Sequence, residues 1–227
     1  MTERRLVVFD VDGTLIDSQA HIVAAMSGAF TVVGLPVPDR AEILGIVGLS
    51  LHVAMARLAP DRPDLTDNLV TAYKERFAEL RLASDPVAQS PLYAGALSVL
   101  RALAARDDVY LGVATGKSRR GLDHVLAVHD LAGLFQTVQV ADHHPSKPHP
   151  SMVMACLTET GVKAANAMIV GDTSFDMEMG RAAGISAVGV SWGYHPVDAL
   201  IGAGATTVIE SFSALPAVCD RIWCANV

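Results

Sequence analysis

The tightest constraint on this fold is a recurring pattern: a short apolar run halted abruptly by a polar residue or a glycine. Leu6-Val7-Val8-Phe9 stops at Asp10, Val109-Tyr110-Leu111-Gly112-Val113-Ala114 stops at Thr115, and Ala167-Met168-Ile169-Val170 stops at Gly171-Asp172. Such runs are too short for helices, and their near-continuous apolar character suits strands covered on both faces. Thr137 to Val140, Ile185 to Val190 and Thr206 to Ile209 are predicted as further strands. Helical stretches lie between them: Ala94 to Arg106 with Leu97, Leu100 and Leu103 on one face, Gly121 to His129, Ser151 to Thr160, and Met177 to Ala183. Short apolar strands alternating with helices predict an α/β fold, a Rossmann-like parallel sheet core with helices on both faces.

One segment breaks the alternation. From Ser18 to Ser84 apolar residues recur at helical spacing, as in Ile22, Met26 and Phe30, then Val53, Ala56 and Leu58, then Leu69, Tyr73, Phe77 and Leu80. Turns are expected at 34–36, 45–50 and 60–63, where glycine, serine and proline gather. The expectation is an inserted α-helical cap at residues 18–84, carried by a core domain of residues 1–17 and 85–227, with the stretch from Ser84 to Pro91 as the linker.

Composition narrows the function. At 51% hydrophobic and 18% charged residues the chain is not of the disordered class, and its formal net charge of −7 argues against a nucleic-acid partner. Three cysteines with no CxxC spacing favour neither a disulfide framework nor a zinc site. No stretch reaches the apolar length of a membrane span, and the first apolar run is short for a signal peptide. A soluble cytoplasmic protein is expected, a monomer or homodimer, with no nucleic acid and no membrane as partner.

In parallel α/β sheets ligands bind beyond the carboxyl ends of the strands. The residues at those ends are Asp10 with Asp12, Thr115 with Gly116, and Asp172 with Asp176, and Lys147 follows the strand at Thr137 to Val140. A cluster of carboxylates must be neutralised, and Mg²⁺ is a hard ion that takes carboxylate and phosphate oxygens. Lys147, the Thr115 hydroxyl and the Gly116 N–H can meet phosphoryl oxygens. An aspartate is also an established nucleophile in phosphoryl transfer.

Asp10-Val11-Asp12-Gly13-Thr14 resembles the first signature of the haloacid dehalogenase superfamily. Ala114-Thr115-Gly116-Lys117 resembles its second, Lys147-Pro148-His149-Pro150 its third, and Gly171-Asp172-Thr173-Ser174-Phe175-Asp176 its fourth, in the family's order. The resemblance implies that Asp10 is the nucleophile. It implies that Asp12 is the general acid and base, whose backbone carbonyl also binds Mg²⁺. Thr14, Thr115, Gly116 and Lys147 are then substrate-binding, with Lys147 also catalytic, and the metal residues are Asp10, Asp12, Asp172 and Asp176. Asp176 is either a ligand through water or the group that positions Lys147.

Retention of Asp12 favours phosphate esters over the dehalogenating and phosphonate-cleaving members. The segments Phe9 to Ser18, Val47 to Leu51, Ser191-Trp192-Gly193-Tyr194 and Leu92-Tyr93-Ala94-Gly95 resemble the phosphoglycolate phosphatase-like branch, although Ala94 stands where that branch usually has proline. The function that the resemblance implies is a Mg²⁺-dependent phosphatase whose partner is a small phosphorylated metabolite, a phosphoglycolate-like monoester. The alternatives are a sugar phosphomutase of the same superfamily and a non-catalytic phospho-ligand binding module.

Other features have plainer readings. His143, His144 and His149 suit a solvated loop, and Met152, Met154, Met177 and Met179 suit core filling. The cap's basic residues are expected on solvated faces, and the loop from Gly45 to Leu51 is the candidate for substrate specificity.

Overall fold

A computed structural model describes residues 3–83 and 85–225. In chain order the elements are β1 (Arg5–Phe9), α1 (Gln19–Val33), α2 (Arg40–Leu44), α3 (Leu51–Leu58), α4 (Thr66–Leu82), α5 (Pro86–Gln89), α6 (Ala96–Ala104), β2 (Val109–Thr115), α7 (Arg119–Val128), β3 (Thr137–Val140), α8 (Ser151–Thr160), β4 (Ala167–Gly171), α9 (Ser174–Ala182), β5 (Ser186–Val190), α10 (Val197–Gly202), β6 (Thr207–Ile209) and α11 (Leu215–Ala225). The six strands form one sheet in the order β3-β2-β1-β4-β5-β6, and every pair is parallel. The fold is the expected α/β class.

The period-two geometry of a strand decides which residues meet which helices. In central β1, Val7 and Phe9 face a cluster with Leu100 and Leu103 of α6, Leu122 of α7 and Cys219 and Trp223 of α11. Leu6 and Val8 face the opposite cluster, with Met152 and Cys156 of α8, Met177 of α9 and Leu200 of α10. These four residues are fully buried, which is why the run shows no polar alternation.

Helices α1 to α4 gather around a separate apolar cluster that includes Ile22, Met26, Phe30, Ile43, Met55 and Leu69. The chain leaves the core beside the place where it returns. Asp17 N–H donates to Pro91 O at 2.8 Å and Tyr93 N–H to Leu15 O at 3.0 Å, so the two connecting strands brace each other.

Several elements differ from expectation, each for a local reason. Helix α9 starts at Ser174 rather than Met177, because Thr173 and Asp176 form a capping box that adds a first turn. Helix α7 starts at Arg119, where the Ser118 hydroxyl accepts the Gly121 N–H. The linker holds one helical turn, α5, capped by Asp85; Ser84 lies outside the described residues. On α3 the buried positions are Ala54 and Met55, and Ala56 faces outward. Met154 is 55% exposed and fills no core, whereas Met152, Met177 and Met179 are buried. His144 is tied down rather than solvated, contacting Ser151 Oγ at 2.8 Å and Gln139 Oε1 at 2.9 Å. Among the described residues, no helix is long and apolar enough to cross a membrane.

Candidate active site

The carboxyl ends of β1, β4 and β2 bring Asp10, Asp172 and Thr115 to one rim of the sheet. Lys147, from the loop after β3, reaches under them and is 1% exposed. Its Nζ donates to Asp10 Oδ1 at 2.7 Å and to Asp176 Oδ1 at 2.6 Å. Asp10, Asp172 and Asp176 each present an oxygen within 4.8 Å of the other two.

Burial and mutual repulsion among the carboxylates dominate the electrostatics here. Burial pushes the Asp10 carboxyl up to about 6 against the pull of Lys147, with Asp176 and Asp12 adding to the rise. Burial, then the charges of Asp10 and Asp176, hold the Asp172 carboxyl well above its ordinary value. Burial opposes the charge on Lys147, yet the Asp10 and Asp176 carboxylates outweigh it and hold the ammonium above its usual value. Three carboxylates and one ammonium carry a formal charge of −2, the complement of one divalent cation. Asp10 Oδ2 is buried with no hydrogen-bond partner, a donor atom available to such an ion. Hard carboxylate oxygens in this number fit Mg²⁺.

The surrounding chain holds these groups in place. Asp172 Oδ1 accepts the Thr14 hydroxyl at 2.8 Å and Oδ2 accepts the Tyr194 N–H at 2.9 Å. A β carbon at Gly13, where φ is +88°, would lie 2.2 Å from Asp172 Oδ2, and one at Gly193 would lie 2.0 Å from Asp172 Cβ. Both positions must therefore be glycine for Asp172 to occupy its place. Asp176 Oδ2 accepts the Thr173 hydroxyl at 2.6 Å and the Thr173 N–H at 3.1 Å, leaving Oδ1 for Lys147. The capping box that starts α9 thus also orients the lysine's partner.

Asp12 belongs to a different group. Its Oδ1 accepts the Ser18 hydroxyl at 2.5 Å and its Oδ2 pairs with Lys117 Nζ at 2.9 Å. Its side chain is not one of the three gathered carboxylates and faces the cap. Lys117 Nζ also lies 5.7 Å from the ring centre of Phe77 on α4.

Thr14 is not placed as a phosphate contact. It is fully buried and its hydroxyl is committed to Asp172, so it supports the metal side instead. Thr115 is 1% exposed, and its hydroxyl accepts the Lys117 N–H at 3.2 Å. Gly116 lies directly beneath the cap: a β carbon there would come within 2.4 Å of Gly48 O and 2.7 Å of Leu49 O. The Ser50 N–H donates to Ser146 Oγ at 2.8 Å, and Leu49 and Ala54 pack on Phe175. The 45–51 loop therefore covers the rim.

Sequence reasoning assigned no role to Ser18, Lys117, Thr173 or Tyr194. Lys117 and Thr173 stand inside the second and fourth motifs, and Tyr194 closes the Ser191-Trp192-Gly193-Tyr194 segment. Ser18 carries the ordinary signal of a helix start, which conceals its contact with Asp12.

Buried acids and a buried lysine at one rim of a parallel sheet, beside a helical cluster, define an α/β protein with an acidic site at its sheet edge. The family model "Haloacid dehalogenase-like hydrolase" matches residues 7–190. The chain is 34% identical to the "Probable phosphatase IndB" of Dickeya dadantii, covering 92% of this chain and 90% of that protein. It is also 34% identical to a "Phosphoglycolate phosphatase" of Rhodospirillum rubrum, covering 93% and 89%. Among solved structures, a hydrolase from Pseudomonas syringae superposes with a TM-score of 0.84 over 96% of this chain and 99% of that one, at 23% identity. The chain belongs to the haloacid dehalogenase-like hydrolase family, in its phosphoglycolate phosphatase-like branch, as a phosphoric monoester hydrolase.

Proposed function

We propose that this protein is a Mg²⁺-dependent phosphatase that hydrolyses a small phosphate monoester, phosphoglycolate-like in size, through a phosphoryl group carried on Asp10. One observation carries the reading: Asp10, buried at the sheet rim, is held at Oδ1 by Lys147 while its Oδ2 has no partner. With Oδ2 offered to the cation, Oδ1, oriented by the lysine, is the oxygen placed for attack.

Asp10, Asp172 and Asp176 would hold the cation, with the Asp12 backbone carbonyl. When bound, Mg²⁺ supplies charge neutralisation between an anionic nucleophile and an anionic phosphate. Lys147 orients Asp10 and offers positive charge to the phosphoryl oxygens, and Thr115 and the Gly116 N–H add hydrogen bonds. Asp10 attacks phosphorus in line, and Asp12 gives its proton to the departing alkoxide. Asp12 then takes a proton from the water that cleaves the acyl phosphate. The covering loop at 45–51 excludes bulk water during transfer and limits the leaving group to a small one.

The test is phosphate release from p-nitrophenyl phosphate with Mg²⁺ and with EDTA, alongside Asp10→Asn. EDTA and the substitution should each abolish turnover while the circular dichroism spectrum stays unchanged. Near-normal turnover by Asp10→Asn would end the nucleophile assignment. Release of inorganic phosphate also distinguishes hydrolysis from transfer to a bound sugar.

A further inference from the structure

Ser18 holds the N-cap position of α1, where a serine oxygen ordinarily accepts an N–H of the first turn. Here no such bond forms. The hydroxyl, fully buried, is directed away from its own helix and donates to Asp12 Oδ1 at 2.5 Å. The phenol of Tyr194 stands 3.1 Å from the same Ser18 oxygen and accepts the Ser18 N–H at 3.2 Å. A serine hydroxyl has one proton. With that proton given to Asp12, the contact between Ser18 Oγ and Tyr194 is made by the phenol's proton. The bonds then run one way: Ser18 N–H to Tyr194 Oη, Tyr194 Oη–H to Ser18 Oγ, Ser18 Oγ–H to Asp12 Oδ1.

Tyr194 connects three parts of the molecule. Its ring packs against the apolar cluster of α1 to α4, its hydroxyl holds the first residue of the cap, and its backbone N–H holds Asp172. The phenol thus touches the first residue of the cap and, through that residue's hydroxyl, the Asp12 carboxylate.

We propose that Tyr194 is a positioning residue: through the Ser18 hydroxyl it fixes the Asp12 carboxylate for proton transfer, and only while α1 is seated on the core. The proposal rests on the proton-transfer role given to Asp12 above. The Ser18 arm fixes Oδ1, and Oδ2, which faces Lys117 Nζ at 2.9 Å, is the oxygen that exchanges the proton. As the ester P–O bond breaks, the Oδ2 proton passes to the leaving oxygen. As water attacks the phosphorus on Asp10, its proton returns to Oδ2 and the Asp10–phosphorus bond breaks. The protons of Ser18 and Tyr194 stay where they are.

Tyr194→Phe removes the hydroxyl and keeps the ring and the backbone N–H on Asp172. The measurement is the single-turnover rate of phosphoryl transfer, with Mg²⁺, from p-nitrophenyl, phenyl and p-methoxyphenyl phosphates. These leaving groups need protonation increasingly in that order. General acid catalysis contributes roughly 10²–10⁴-fold, and misplacing the acid should forfeit about ten-fold of it for the poorest leaving group. The p-nitrophenyl ester should lose little, KM should hold, and the Mg²⁺ concentration for half-maximal rate should stay the same. Ser18→Ala should steepen the leaving-group dependence in the same way. Equal losses on all three esters, or no loss, would overturn the proposal. Asp12→Asn is measured alongside. If it shows no dependence on leaving group, or the unsubstituted protein releases no phosphate from any ester, the Asp12 role or the phosphatase reading fails first. A steep dependence in Asp12→Asn but not in Tyr194→Phe counts against Tyr194 alone.

Discussion

Lys147→Met tests whether one buried ammonium holds the acidic cluster together. Methionine fills much of the same volume without charge, and it deprives Asp10 and Asp176 of bonds of 2.7 and 2.6 Å. Both carboxylates and the lysine are at most 1% exposed, so water does not replace what is lost. Removing one partner of a buried ion pair costs about 3–5 kcal/mol, because charge is left uncompensated. Asp10 has one escape, which is to take up a proton. Asp10 already stands at about 6 with Lys147 beside it, and without the ammonium it rises further. For a carboxyl raised in the folded state, stability is fully present below the unfolded value and is lost as pH rises through the folded one. The deficit should therefore be small below about pH 6 and reach its full size only about 2–4 pH units higher, each unit being worth about 1.4 kcal/mol. Each kcal/mol moves the melting temperature of a chain this size by about 2–4 °C, so the loss at the higher pH should be roughly 6–20 °C. Differential scanning calorimetry in EDTA reads this directly, and adding Asp10→Asn to the variant should recover much of it. A melting temperature within about 2 °C of the parent at the higher pH, or a deficit that grows on acidification, would refute the reasoning.

Two glycine substitutions separate the metal side from the cap side. In Gly193→Ala the new β carbon would stand 2.0 Å from Asp172 Cβ and 2.6 Å from its Oδ2, so Asp172 must move. Displacing a ligand's support typically weakens a metal site by about 10–100-fold, and isothermal titration with Mg²⁺ should show that loss while the secondary structure is retained. In Gly116→Ala the clash is with two cap carbonyls, Gly48 O at 2.4 Å and Leu49 O at 2.7 Å. The cap can no longer seat fully, so kcat/KM should fall by about 10²-fold while Mg²⁺ binding to the core is preserved. Unchanged kcat/KM would show that the 45–51 loop need not lie on Gly116 during turnover.

The strands were the most legible part of the sequence. No strand end moves by more than one residue from its expected place, since most of these short runs are buried on both faces and are bounded by polar residues or glycine. Helix α11 was not assigned, although Leu215, Val218, Cys219, Ile222 and Trp223 recur at helical spacing and all are buried. It follows the last strand, where the alternation that identified the other helices ends. Helix α10 spans only Val197–Gly202, too short for periodicity to register. At the site, the motifs located Asp10, Lys147, Asp172 and Asp176 at one rim, since position in a motif carries chemistry. They misplaced Thr14, whose role depends on which neighbour its hydroxyl meets after folding. Ser18 and Tyr194 are separated by 176 residues, and nothing local in either segment announces the contact.

The sheet register explains why groups so far apart in sequence share one centre. Phe9 pairs with Val113 of β2 on one side and with Val170 of β4 on the other. Asp10 therefore emerges level with Ala114 and Gly171, and Thr115 and Asp172 follow one residue later. Adjacent strands lie about 4.7–4.9 Å apart. That is also the scale on which the three carboxylates gather, within 4.8 Å, and a single cation spans it. The arrangement tolerates no slip. Shifting β4 by one residue against β1 would turn Met168 and Val170 out of one apolar cluster and Ile169 out of the other, reversing both faces at once. The same apolar alternation that stabilises the sheet thus fixes the height at which Asp172 meets Asp10, and the precision of the site is inherited from the packing of the core.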